Sequence, residues 1–120
     1  MNECIFCNIL NGTAEATFVH KDETVSAFMD IQPITPGHVL IIPNKHAANI
    51  SELDEDAGSQ MFRIAMKLTD AIRNSSLKCE GVNYFLADGA AAGQEIFHVH
   101  LHVFPRYEGD GMKIQVGDDY

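Results

Sequence analysis

His98, His100 and His102 stand at every second position, and Val99, Leu101 and Val103 fill the places between and beyond them. Alternate side chains of a β-strand point to opposite faces. A strand here would turn three imidazoles to one side and an aliphatic row to a core. A helix would scatter the histidines around its axis and leave no apolar stripe. Phe97, Phe104 and the valines suit a strand, and Pro105, which cannot donate to a ladder, is expected to end it. The plain alternative is a solvated strand face that carries histidine by chance. Imidazole serves as nucleophile, as general acid or base, or as metal ligand. Neighbouring members of the row lie roughly 6.5 Å apart along the chain, so two could converge on one metal. A metal hydrolase would then need a further ligand and a general base; Glu95 is near in sequence but falls on the other side of the strand period. The other possibility is covalent catalysis at phosphorus. One ring nitrogen attacks while the other donates to a neighbour, and flanking imidazoles hold the phosphate oxygens. His100, with an imidazole on either side, is the best placed nucleophile.

Two more groups could join such chemistry. Gly93-Gln94 just precedes the histidine row; a glycine lets backbone approach a ligand closely, and the Gln94 amide can donate to a phosphate oxygen. By themselves those glycines mean a tight turn. Cys4 and Cys7 form CxxC, half of a tetrahedral zinc site. Their position at the N-terminus does not offer the strand–helix setting of a redox CxxC. The missing ligands would be histidines: His46, after an apolar strand, is a candidate that could equally be an exposed loop residue. His20 reads as an exposed turn residue and Cys79 as inert.

These groups need a frame. "CIFCNILNG" reads as a short helix or turn ended by Asn11-Gly12. Phe18–His20 and Val25–Met29 form a hairpin about a polar turn at residues 21–23. "QPITPG" is a loop and "HVLIIP" an apolar strand closed by Pro43. One long helix runs from about Glu55 to Arg73, with Asp54 as its cap and Glu55 and Asp56 in the first turn. Met61, Ala65, Leu68 and Ile72 give it one buried face, and Met61 and Met66 read as core filler. "VNYFLA" is a strand, "DGAAAGQ" a loop and "IFHVHLHVF" the last strand. A helix interrupting antiparallel strands implies an α+β fold, and the polar tail from about residue 108 is expected to be mobile or ordered by a partner.

At 120 residues the chain is expected to form a single domain over residues 1–120. No apolar run approaches the length of a bilayer, and no basic-then-apolar leader opens the sequence, so a cytoplasmic protein is expected. Three cysteines without an export signal do not suggest a disulfide framework. The net charge of −9 argues against a nucleic-acid polymer or an anionic membrane as partner. A small anionic ligand remains compatible, held by backbone N–H groups and imidazoles. The acidic residues between Glu52 and Asp56, and Asp110, Asp118 and Asp119, read as solvated loops or helix starts.

"HVHLHVF" matches the signature of the histidine triad (HIT) superfamily. "CIFCNIL", "AFMDIQPITPGHVLIIPNKH" and "AAGQEIFHVHLHVFPRY" resemble, in order and spacing, the bacterial branch of its nucleotide-binding (Hint-like) proteins, up to about Tyr107. The resemblance implies an antiparallel sheet of about five strands with one long helix, a short N-terminal helix and a homodimer. It implies hydrolysis or transfer of nucleoside monophosphate conjugates, most directly purine nucleoside phosphoramidates, through a nucleotidyl group on His100. His102 and Gln94 would hold phosphate oxygens, with His38 in the imidazole network and Gly93 in the loop. Asp30 would accept from the ribose hydroxyls. Ile5, Phe6, Ile9, Phe28 and Ile31 would line the base pocket, although plain core packing suits Ile9 and Ile31 as well. Where relatives carry CxxC, a structural zinc would take Cys4, Cys7, His46 and His98, making His98 an orienting residue. Other readings are dinucleoside polyphosphate hydrolysis, or a nucleotide-binding interaction module with incidental slow chemistry. Three departures stand out: Ala87-Asp88 replaces an Asn-containing pair, Glu95 replaces Ser or Thr, and only Tyr120 could stand for the aromatic C-terminus of some relatives.

Overall fold

The computed structural model describes residues 4–112. Its elements are α1 (Ile5–Leu10), β1 (Phe18–Lys21), β2 (Val25–Met29), β3 (Val39–Pro43), α2 (Glu55–Arg73), β4 (Gly81–Phe85) and β5 (Leu101–Arg106), with short 3-10 turns at Ile50–Glu52 and Ala90–Ala92. The strands form one antiparallel five-stranded sheet in the order β1-β2-β3-β5-β4. This is the expected α+β fold.

The sheet is covered on both faces. On one, Val25, Ala27, Val39, Ile41, Val99, Leu101 and Val103 pack against Met61, Ile64, Ala65 and Ile72 of α2. On the other, Phe28, Leu40 and Ile42 pack against Phe6 and Ile9 of α1. Burial on both sides is why "VLIIP" is apolar without alternation. The helix spans the expected residues, but Asp54 makes no side-chain cap bond; its carbonyl takes the first helical bond, from Gly58. Met66 is not core filler: it is 62% exposed, on the side away from Met61.

The histidine row departs from its expected element. The final strand begins only at Leu101, so His98 and His100 lie in the segment leading into it. Alternation persists there nonetheless, because Val99 is buried in the α2-side core and its N–H bonds the Ala47 carbonyl at 2.8 Å. Nor does Pro105 end β5. It pairs with Val82, and Thr35 Oγ1 donates to its carbonyl at 2.7 Å from the side where β3 has already ended. A proline nitrogen on that side leaves no ladder bond unmade. β4 is shorter than expected, stopping at Phe85. The start of the tail is fastened rather than loose: Arg106 Nε and Nη2 each donate to Asp110 at 2.7 Å, and Tyr107 Oη donates to the Pro36 carbonyl at 2.6 Å. Asp118, Asp119 and Tyr120 lie outside the described residues.

Candidate active site

One row of paired residues crosses the α1 side of the sheet. Phe18 pairs with Phe28, Phe28 with Leu40, Leu40 with His102, and His102 with Phe85. His102 therefore enters an apolar row at a fixed register. Above it a hollow of about 430 Å³ opens, lined among others by Ile5, Phe6, Ile9, Phe28, Asp30, Ile31, Gly93, His100 and His102. Nine residues named from the sequence thus share one hollow. Ile31, 88% exposed, is no core residue; Ile9 serves both core and wall. Leu40 and Ile96 also line the hollow and were not picked out. Leu40 lies in a uniformly apolar strand, where sequence cannot tell the two faces apart.

The hydrogen bonds define which nitrogens carry protons. The Ile34 N–H donates to His38 Nδ1 at 3.0 Å, so the His38 proton sits on Nε2. That nitrogen lies 2.9 Å from His102 Nδ1, which must then accept, and His102 keeps its proton on Nε2. His100 is turned the other way: its Nδ1 lies 2.8 Å from the His98 carbonyl, so Nδ1 donates and Nε2 keeps a lone pair. His98 Nε2 lies 2.8 Å from the Pro43 carbonyl, which leaves its Nδ1 lone pair available. Three imidazoles on one side thus have three different roles.

Burial supports the neutral forms of His38 and His102. It pushes the pKa of His38 below the ordinary imidazole range, although Asp30 pulls upward. Burial, with His100 and His38 nearby, brings His102 down to about 4. Asp30 Oδ2 stands 3.5 Å from His38 Nδ1, but with that nitrogen accepting from Ile34 this is proximity and not an ion pair. Asp30, His38 and His102 bring ligand-type atoms within 4.8 Å of one another. Both His38 nitrogens are already committed, so the trio is built as a hydrogen-bond relay and not as a metal cage. Gly37, at φ 90°, makes the turn that delivers His38; a Cβ there would meet Leu77 Cδ1 at 2.8 Å.

Gln94, expected to hold a phosphate oxygen, has its amide bonded within the protein. It is 4% exposed, and its amide nitrogen donates to the carbonyls of Ala48 and Ile96 at 2.7 and 3.1 Å. Its oxygen accepts from the Gly89 N–H at 2.8 Å. With both amide protons used, Gln94 braces the loop. The backbone N–H groups of Gly93 and Gln94 are likewise taken, by the Ala90 and Gly89 carbonyls. Gly93, His100 and His102 line the hollow, and Gln94 stands behind it.

The second cluster forms as the sequence reading expects. Cys4 is the N-cap of α1 and Cys7 lies in its first turn; His46 follows β3, and His98 leads into β5. Their four ligand atoms all lie within 4.8 Å of one another. His98 Nδ1 is 3.4 and 3.6 Å from the sulfurs of Cys4 and Cys7, and His46 Nδ1 is 3.3 Å from Cys7 Sγ. Tetrahedral zinc with ordinary Zn–S and Zn–N bonds puts S and N about 3.5 Å apart along an edge. The donor set and its spacing fit that ion. Burial, reinforced by Cys7 nearby, pushes the Cys4 thiol above its ordinary value, a penalty that a bound cation would offset.

Comparison with known proteins yields one family. The HIT domain family matches residues 11–109. The chain belongs to the HIT domain family. An uncharacterized HIT-like protein of Borreliella burgdorferi is 39% identical over 98% of this chain and 86% of its own length. A zinc-bound histidine triad family protein from Mycobacterium smegmatis superposes with a TM-score of 0.88 at 36% identity, covering 98% of this chain and 84% of that one. A histidine triad nucleotide-binding protein from Candida albicans gives a TM-score of 0.82 at 31% identity, over 97% and 87% of the two chains.

Within this HIT domain the departures acquire places. Ala87 is buried. Asp88 Oδ1 accepts the Ile50 N–H at 2.9 Å, tying the loop to the turn that follows His46. Glu95 is exposed and lines the hollow. No helix among the described residues is long and apolar enough to cross a membrane.

Proposed function

We propose that this HIT domain binds a purine nucleoside monophosphate conjugate and transfers the nucleotidyl group to His100 before water releases it. The observation that carries this reading is the bond from His100 Nδ1 to the His98 carbonyl, which leaves the Nε2 lone pair for phosphorus. His102, with its proton held on Nε2 by the relay from Ile34 and His38, donates to a phosphate oxygen. The base lies among Ile5, Phe6, Phe28 and Leu40, and Asp30 accepts from the ribose hydroxyls. Asp30 is oriented for this by the Gln32 N–H, 2.9 Å from its Oδ1.

Cys4, Cys7, His46 and His98 would hold one structural zinc, whose chemistry is to cross-link α1 to the segment carrying His100. Without it, Phe6 already stacks edge-on against His100 with centroids 5.0 Å apart. The zinc-bound mycobacterial relative and the spacing of the four donors support this site. We also infer a homodimer in the cytoplasm. β4 is an edge strand, and on its α2 side the exposed Tyr84 lies against the exposed Phe62, ring centroids 6.2 Å apart, an apolar area that a second copy would cover.

The test is turnover of an adenosine phosphoramidate by wild type and His100→Ala. The variant should keep zinc and nucleotide affinity and lose several powers of ten in rate. Quenching the wild type in base should trap an acid-labile nucleotidyl adduct. Near-normal turnover in His100→Ala would overturn the covalent route in favour of direct attack by water. Nucleotide affinity without any turnover would instead favour an interaction module.

A further inference from the structure

α1 is six residues long, well short of the roughly 12–15 that hold an isolated helix together in water. Its place is therefore fixed by what it touches. Underneath, Phe6 and Ile9 pack on Phe28, Leu40 and Ile42. At its N-terminal end Cys4 Sγ accepts the Cys7 N–H at 3.4 Å, and both sulfurs face His98 Nδ1. Phe6 stands between the two cysteines. Its buried ring lies edge-on to three others, with centroids 5.0 Å from His100, 5.6 Å from Phe28 and 5.8 Å from His98. The same ring lines the hollow. One side chain thus meets a member of the four-donor cluster, the proposed nucleophile and the nucleotide space. His98 makes a second link, because its ring faces the sulfurs while its carbonyl accepts from His100 Nδ1 at 2.8 Å.

We propose that Phe6 couples the two sites, so that zinc on Cys4, Cys7, His46 and His98 and a nucleotide in the hollow each raise the other's affinity. The inference rests on the zinc and nucleotide-binding readings above and is independent of the transfer chemistry. Two of the four donors belong to α1, while His46 follows β3 and His98 leads into β5. The set is therefore assembled only when α1 is docked. The wall of the hollow has the same requirement, because α1 supplies Ile5, Phe6 and Ile9 to it. Two ligands that select one conformation are linked through it without touching each other. The size of the effect follows from the fraction of metal-free molecules with α1 docked: about a tenth docked gives about a ten-fold gain. That lies within the usual range for coupled sites, and the factor must be the same in both directions. His46 is exposed and both cysteines are half-buried, so the metal position is within reach of a competing chelator. Nucleotide binding would thus follow the supply of free zinc, and nucleotide-loaded protein would hold its metal longer.

The experiment uses the whole chain under a thiol reductant, with adenosine monophosphate as a nucleotide that has no leaving group to lose. Zinc affinity is read by competition with a chromophoric chelator, with and without saturating nucleotide. Nucleotide affinity is read by calorimetry on zinc-loaded and stripped protein. Nucleotide should tighten zinc about ten-fold, and zinc should tighten nucleotide by the same factor. Phe6→Leu keeps all four donors and an apolar side chain, and should cut the factor to about two or less. A Phe6 that served only as wall would weaken nucleotide equally in loaded and stripped protein and leave the factor at about ten, the behaviour expected of Asp30→Asn. Zinc and nucleotide that both bind with no mutual effect, or a factor untouched by Phe6→Leu, overturn the inference and leave the nucleotide reading standing. Loss of the whole far-UV circular dichroism spectrum on stripping overturns it in favour of a zinc-dependent fold. Absence of zinc uptake sinks the metal assignment and the coupling together; absence of nucleotide binding sinks the functional reading and the coupling together.

Discussion

Replacing His38 with phenylalanine tests the proton relay at its origin. The new ring would keep an aromatic group against His102 and Phe104, which lie 5.1 and 5.3 Å from it between centroids. It would remove both nitrogens, and with them the bonds from Ile34 at 3.0 Å and to His102 at 2.9 Å. A typical internal hydrogen bond contributes about 1 kcal/mol, and a buried partner left unsatisfied costs about 1–3 kcal/mol. Ile34 is 50% exposed, so water can replace its bond more readily, and we expect a loss of about 2 kcal/mol, dominated by His102. The effect on rate has a different origin. Only the Nε2–H form of His102 can donate to phosphate, and the variant no longer selects it. Equal population of the two forms would lower kcat about two-fold, whereas complete loss of such a donor costs about 10²–10³. We expect about 10- to 100-fold, because the freed ring also turns to satisfy Nδ1. Imidazole ¹⁵N shifts report the forms directly. Wild type should show His38, His98 and His102 protonated at Nε2 and His100 at Nδ1. His102 in His38→Phe should lose its single form as kcat falls. If His102 keeps its Nε2 proton and kcat changes less than two-fold, the relay does not originate at His38. A wild-type His100 protonated at Nε2 would remove the lone pair the mechanism needs.

Metal analysis should find about one zinc per chain, lost in a Cys4→Ser/Cys7→Ser double variant; full occupancy in that variant would rule out the assignment. Acidification should destabilise the fold between about pH 7 and pH 4. His102 is held down to about 4 by burial and neighbouring imidazoles, below the ordinary value of about 6.5. The unfolded chain therefore binds the proton first as pH falls, and His102 alone accounts for up to about 3 kcal/mol across that window. The urea midpoint should drop from pH 7.5 to pH 5, and less so in His102→Gln; equal drops in the two proteins would contradict this. Sedimentation at micromolar concentration should give about twice the 13.2 kDa chain mass, and a monomer at all accessible concentrations would refute the dimer.

The sequence by itself made the order of the elements and many residues of the candidate site legible. Alternation, which depends only on strand geometry, separated Val99, Leu101 and Val103 from His98, His100 and His102, even where the ladder has not yet begun. Helical period and the Asn-Ser-Ser punctuation located α2. CxxC and His46 offered three members of the second cluster and the family resemblance added His98, while nine residues of the hollow's wall were named and Glu15, Ala16, Met29, Gln32, Leu40 and Ile96 were not. Roles were another matter, because a role depends on what each polar atom meets across the fold. The Gln94 amide could have met a phosphate, but the loop folds so that two carbonyls, one of them 46 residues away, take both its protons. Pro105 could continue a strand only because β3 stops before reaching its nitrogen. Met61 and Met66 are chemically alike, and packing alone buried one and exposed the other. The proton positions on four imidazoles were decided by an amide at Ile34 and the carbonyls of Pro43 and His98, backbone groups that carry no side-chain signature in the sequence. Residue types state what chemistry is available; only the tertiary fold decides which atoms remain available to do it.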